Sequence, residues 1–201
     1  MNKGRFEAFS DGVFGFAATL LVLGIALPAS RAASDRDLLA ALLALWPNVV
    51  AYALSFAVIG IMWQNHHALF RLIRRVNRKT VFHNLLLLSA TAFIPFATNT
   101  LGSYPTMKPA AFLYGLVLST CATFYNTMLL HLVHARAFAD EVDDATIAAT
   151  VYAYRVGWVG YVLAMLLSLL LPQLAVAAYI AIAIFYLVPR GVEADIDRAR
   201  P

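Results

Sequence analysis

The chain has 201 residues, of which 62% are hydrophobic and only 13% charged, with a formal net charge of +4. A soluble domain is about a quarter charged and half apolar, and a large soluble helical core would need a polar face on most helices. Here several windows of about 20 residues carry almost no charge, the length that crosses a bilayer's hydrocarbon, so the composition points to an integral membrane protein and its basic excess to orientation in the lipid bilayer rather than nucleic-acid binding.

Six apolar spans follow in chain order, an all-α arrangement within a single transmembrane domain covering 1–201. The first runs over about 6–27 and ends at Pro28. An amphipathic approach from Asp37 to Trp46, closed by Pro47, leads into the second at about 49–73. The third covers 81–101 and the fourth 110–133. The fifth covers 151–171, before Pro172, and the sixth 174–188, before Pro189. Each proline stands where a helix starts or stops. The first segment has no small-residue cleavage site, so it reads as a retained span, not a signal peptide.

Lysine and arginine set the orientation. Lys3, Arg5, Arg71, Arg74, Arg75, Arg78, Lys79, Arg136, Arg155, Arg190, Arg198 and Arg200 fall on one side, and only Arg31, Arg36 and Lys108 on the other. The positive-inside rule puts both termini in the cytoplasm. Connections are short apart from the stretch between Pro28 and Pro47. No repeat and no broken helix of the transporter kind is evident. The acidic run Asp140, Glu141, Asp143, Asp144 reads as a solvated loop.

The first span is the most informative. Arg5, Ser10 and Asp11 crowd its opening turns, and charge at the start of a membrane helix is costly unless it has a partner. At about 100° per residue, Gly12, Phe16, Thr19, Leu20, Leu23 and Leu27 fall within an arc of about 100°, with Ser10 and Asp11 outside it. Such a stripe suits lipid or helix packing as well as the lining of a passage. Trp63, Gln64, Asn65, His66 and His67 close the second span, and His83 and Asn84 open the third, at the depth of Ser10 and Asp11. Their indole, imidazole and amide nitrogens are the donors a buried carboxylate needs.

Metal binding by His66, His67 and His83 is disfavoured, since adjacent histidines on a helix point about 100° apart. His131 and His134, three apart, read as interfacial or pH-sensitive groups. Thr98, Asn99 and Thr100 are expected to bond helices together. Cys121, the single cysteine, lies in an apolar run and reads as a small buried hydrophobe. Val159-Gly160-Tyr161 echoes part of a potassium-channel filter, but Trp158 and Val162 replace its flanking residues and it lies inside a continuous span. It reads as a packing surface.

Arg5-x-x-x-Phe9-Ser10-Asp11, with Gly-Val-Phe and the Thr-Leu-Leu-Val-Leu run after it, resembles the signature opening the first helix of the transmembrane protein 175 family. The Trp63 to Phe70 segment with its Asn-His-His, and the Asn84-Leu-Leu-Leu-Leu run reaching Pro95, also look like that family. These are potassium channels without a P-loop. The resemblance implies a prokaryotic cell-membrane protein, a homotetramer of six-helix subunits whose first helices surround a central pore. It places a hydrophobic gate at Phe16, Leu20 and Leu23 and a selectivity layer at Thr19. Arg5, Ser10 and Asp11 would hold the first helix, with Trp63, His66, His67 and Asn84 as partners. It implies permeant potassium ions and no cofactor or bound metal. Phe16 departs from the Ile or Leu of many members, and its bulk implies a tighter closed gate or a ring that rotates aside. The competing function is a proton-coupled secondary transporter using Asp11 and the nearby histidines. An enzyme is disfavoured, because no nucleophile and base are placed together.

Overall fold

The computed structural model describes residues 3–27 and 33–187. Pro28, Val188 and Pro189, and Arg31, Arg190, Arg198 and Arg200 of the charge argument, lie outside the described residues. The chain order is α1 (Lys3–Leu20), a 3₁₀ turn (Leu21–Gly24), α2 (Asp35–Ala44), α3 (Trp46–Leu72), α4 (Arg78–Thr91), α5 (Ile94–Ser103), α6 (Lys108–His134), α7 (Asp144–Ser168) and α8 (Pro172–Leu187). Five helical segments are long and apolar enough to cross a membrane: Lys3–Gly24, Trp46–Leu72, Arg78–Ser103, Lys108–His134 and Asp144–Ser168. α8 is apolar throughout but has 16 residues, about 24 Å of helix.

Prolines open helices here more than they close them. Pro47, Pro95 and Pro109 sit in the first turns of α3, α5 and α6, and Pro172 begins α8. In a first turn the missing N–H would have had no helical partner anyway. The expected third span is therefore two helices, α4 and α5, separated at Ala92 and Phe93. Pro95 cannot donate to the carbonyl one turn back, so α4 stops before it, while Arg78–Ser103 together remain one apolar run long enough to cross a membrane.

α7 starts at Asp144, seven residues before the expected 151. Asp143 caps it, accepting from the Thr146 amide at 2.8 Å. The Thr146 hydroxyl and amide hold the Asp143 carboxyl below its ordinary range. Asp140 pairs with Arg74 at 2.7 Å. The acidic run is thus a helix cap and an inter-loop contact, and not only a solvated loop. Asn77 caps α4 through the Thr80 amide at 2.8 Å, and Ser34 caps α2 through the Asp37 amide at 3.2 Å.

α6 is central and packs against α4, α5, α7 and α8, while α3 packs against α1, α5 and α8. Tyr114 of α6 and Tyr179 of α8 meet edge to face, fully buried. At Gly115 an added Cβ would land on the Tyr179 hydroxyl, so a bare backbone is what lets α8 approach. α7 lies at the periphery, with only 6% of its apolar window buried. Val159, Gly160 and Tyr161 are in its continuous helix, where Gly160 faces Ile182.

One end of the bundle gathers most cations. The Lys3 amine donates to the Ile73 carbonyl at 2.9 Å, joining the start of α1 to the end of α3. The α3–α4 and α6–α7 connections clasp one another: the Arg74 amide donates to Ala137 and the Ala139 amide to Leu72, both at 2.9 Å.

Candidate functional site

α1 has two faces. Phe6, Ser10, Phe14, Ala17 and then Leu21 recur every three or four residues and are buried. The helix packs with this face on α3, α4 and α5. Turned away from it are Gly12, Phe16, Thr19, Leu20 and Leu23, all exposed. Phe16 is 69% and Leu23 72% exposed, and Leu20 is the most covered of the three at 37%.

The 3₁₀ turn matters for this stripe. Residues three apart eclipse in a 3₁₀ segment, so Leu23 falls in line with Leu20, about 6 Å further along. A continued α-helix would have swung it about 60° aside. Asn48 at the start of α3 fixes that end, donating to the Gly24 carbonyl at 3.3 Å. Gly24 in turn lies close to Asn99, and Gly102 is so close to Asn48 that an added Cβ would sit 2.8 Å from its Cα. An apolar groove of about 480 Å³ runs beside the stripe, lined by Phe9, Gly12, Phe16, Leu20 and Ala92. It reaches the α4–α5 break.

The Thr19 hydroxyl donates to the Phe16 carbonyl at 2.9 Å. Its proton is thus used within the helix, and the oxygen's lone pairs are left to accept on the exposed side.

The polar residues around α1 form two separate contacts. In the buried one, Asn84 of α4 donates from Nδ2 to Ser10 Oγ at 2.9 Å, and Ser10 Oγ donates to the Phe6 carbonyl at 3.1 Å. Asn84 Oδ1 faces His66 Nε2 at 2.9 Å. Because that oxygen can only accept, Nε2 carries the proton. The His66 ring stacks on Phe70 with centroids 4.4 Å apart and meets the edge of Phe14 at 5.4 Å. α1, α3 and α4 are thereby joined at one buried point.

The second contact is exposed: Trp63 Nε1 donates to Asp11 Oδ1 at 2.9 Å. His67 stacks on the Trp63 ring, with centroids 6.2 Å apart. Arg5 is exposed and enters neither contact. Asp11 thus takes the indole donor, while the imidazole goes to Asn84 and the Asn84 amide to Ser10.

His66 is enclosed, His67 lies on Trp63, and His83 stacks on His131 with centroids 5.1 Å apart, so the three histidines do not converge. Among the described residues no three His, Cys, Asp or Glu side chains are grouped to hold a metal ion. Of the expected helix-bonding trio, only Thr98 reaches another helix, donating to Ser55 Oγ at 2.7 Å. Ser55 Oγ lies 3.0 Å from the Tyr114 hydroxyl, which links α3, α5 and α6. Thr100 bonds its own helix and Asn99 accepts from Ser103, because their side chains point off the α3-facing side. Asn48, Ser55 and Tyr114 were not singled out in the sequence. A polar residue directly after Pro47 was the one available signal for Asn48.

The sequence profile described as Endosomal/lysosomal potassium channel TMEM175 matches residues 5–95. A potassium channel of Streptomyces collinus is 40% identical over 192 residues, 92% of each chain. The Endosomal/lysosomal proton channel TMEM175 of Homo sapiens is 40% identical over 103 residues, 48% of this chain and 20% of that protein. The crystal structure of a lysosomal potassium-selective channel TMEM175 homolog from Chamaesiphon minutus superposes with a TM-score of 0.84 at 35% identity, covering 92% of this chain and 96% of that one. With this fold and nine-tenths of its length aligned to such relatives, the chain belongs to the TMEM175 family, which is a family of ion channels and not of enzymes.

Proposed function

We propose that the protein is a potassium-preferring cation channel in which four six-helix subunits place their α1 helices around a central pore. One observation carries this reading: the face of α1 opposite its buried anchor is an exposed apolar line, Phe16, Leu20 and Leu23, broken by the single hydroxyl of Thr19. Relatives named potassium channels, aligned over most of this chain, support it. Rings of apolar side chains stop ions by dewetting, without a plug. Phe16 and Leu23 protrude furthest and are the outer layers of the gate, with Leu20 between them. A ring of four Thr19 oxygens would replace part of an ion's hydration shell. Hydroxyls offer fewer and less fixed ligands than backbone carbonyls, so the preference for potassium is modest.

Ser10, Asp11, Trp63, His66 and Asn84 hold α1 against its own subunit, and Arg5 borders the cytoplasmic mouth. His67 supports Trp63. The cation-rich end faces the cytoplasm, with both termini. The proton-coupled carrier fares worse: Asp11 is committed to Trp63 and His66 to Asn84, with no hydrogen bond between the two sets.

The test is potassium flux into liposomes holding the purified protein, with a sodium gradient compared in parallel. Leu20→Ala and Leu23→Ala each raise the resting leak. Unchanged flux in both would remove the apolar layers as the gate. Flux that saturates at low potassium, with slow turnover, would favour a carrier.

A further inference from the structure

A second cleft lies at the cation-rich end, away from α1. It has a volume of about 550 Å³ and is lined by Asn77, Arg78, Lys79, His131, His134 and Ala135. α4 contributes two fixed positive charges and α6 two imidazoles, and His83, one turn further along α4, stacks on His131. Among the described residues the only ion pairs within 4 Å are Lys3–Glu7 and Arg74–Asp140, so no carboxylate neutralises Arg78 or Lys79. Both charges stand in the first turn of α4, where the helix dipole already favours an anion over a cation. One turn deeper, Phe82 and Leu85 are exposed. These two apolar side chains lie outside the lining of the cleft, whose α4 side is Asn77, Arg78 and Lys79.

We propose that this cleft binds the phosphate oxygens of an anion, whether an anionic phospholipid headgroup or a soluble phosphate. Arg78 and Lys79 supply the charge and the donors, while His131 and His134 line the opposite side of the cleft, their N–H groups turned to Asn77 Oδ1 and the Leu130 carbonyl. Phe82 and Leu85, exposed on the same helix outside the cleft, give a lipid's acyl chains a surface that free phosphate does not use. The same α4 carries Asn84, so an anion bound between α4 and α6 grips the helix that holds Ser10 of α1.

The test is equilibrium binding of dioctanoyl-phosphatidylglycerol to the purified full-length protein in a neutral detergent. Its phosphodiester charge is constant across neutral pH. Saturable binding is expected, weakening about fivefold for each charge removed in Arg78→Gln and Lys79→Gln. Lys108→Gln, which removes one charge at the opposite end, leaves it unchanged. A Lys79→Glu variant reads out the same loss if Arg78→Gln folds poorly. Displacement by inorganic phosphate at similar concentration identifies soluble phosphate as the occupant; failure to displace identifies the lipid. Equal binding by wild type and Arg78/Lys79 variants, or an equal loss in Lys108→Gln, overturns the site.

Discussion

Asn84 and Trp63 both bond a side chain of α1, but they are not equivalent. Asn84 is buried between His66 and Ser10, so its loss strands the His66 N–H away from water and leaves Ser10 only its bond to the Phe6 carbonyl. Single interhelical bonds in membranes average about 0.6 kcal/mol, and a stranded buried group costs about 1–3 kcal/mol. Asn84→Ala should therefore cost about 1–2 kcal/mol, seen as a lowered Tm in detergent. Trp63→Phe should shift Tm much less, since the Asp11 contact is exposed and water can replace the indole. Equal losses would mean that burial does not separate the two contacts. At Thr19 the expectation concerns selectivity. Thr19→Ala lowers the potassium-to-sodium flux ratio and Thr19→Ser keeps it; an unchanged ratio in Thr19→Ala removes that oxygen from the filter. Ser10, Asp11, Trp63, His66 and Asn84 stood out in the sequence because polar groups in apolar helix ends must find partners. Which pairs with which was not legible, because that depends on the register of three helices against each other. His67 is adjacent to His66 in sequence but points about 100° away, onto Trp63, and so misses the buried chain.

At the scale of elements, apolar length was legible and local geometry was not. α3 runs Trp46–Leu72 and α6 Lys108–His134, over the apolar runs 49–73 and 110–133. The start of α7 is not legible in apolar content, because Asp143 caps a polar first turn that precedes the apolar run. The α4–α5 break was hidden in a run that is apolar on both sides of Pro95. Hydropathy also cannot distinguish an α-helix from a 3₁₀ turn, yet that turn aligns Leu23 with Leu20. Close helix approach is testable at two glycines. Gly115→Ala pushes a methyl group onto the packed Tyr179 hydroxyl and should destabilise by about 1–3 kcal/mol. Gly60→Ala meets nothing within 4 Å and should leave Tm near wild type or slightly higher, as alanine favours helix. The reverse order in thermal unfolding would contradict the α6–α8 packing.

Over the whole molecule, α7 and α1 are exposed for opposite reasons. α7 presents Val159, Leu163 and Leu166 at the edge of the bundle, where lipid suffices as a partner. α1 is pinned on one face by bonds to α3 and α4, and its other face carries the ordered series Phe16, Thr19, Leu20 and Leu23. A lipid-facing helix has no need of such anchoring, nor of a 3₁₀ turn that lines its leucines up. The central claim is that this face borders the path of the ions. Its most direct test is modification of Leu23→Cys by a charged thiol reagent during potassium flux, with Leu163→Cys as the lipid-facing control and Cys121 buried in both. The account predicts that the reagent changes flux several-fold in Leu23→Cys and leaves Leu163→Cys unaffected. Flux indifferent to modification at Leu23, or equally altered at Leu163, would contradict it.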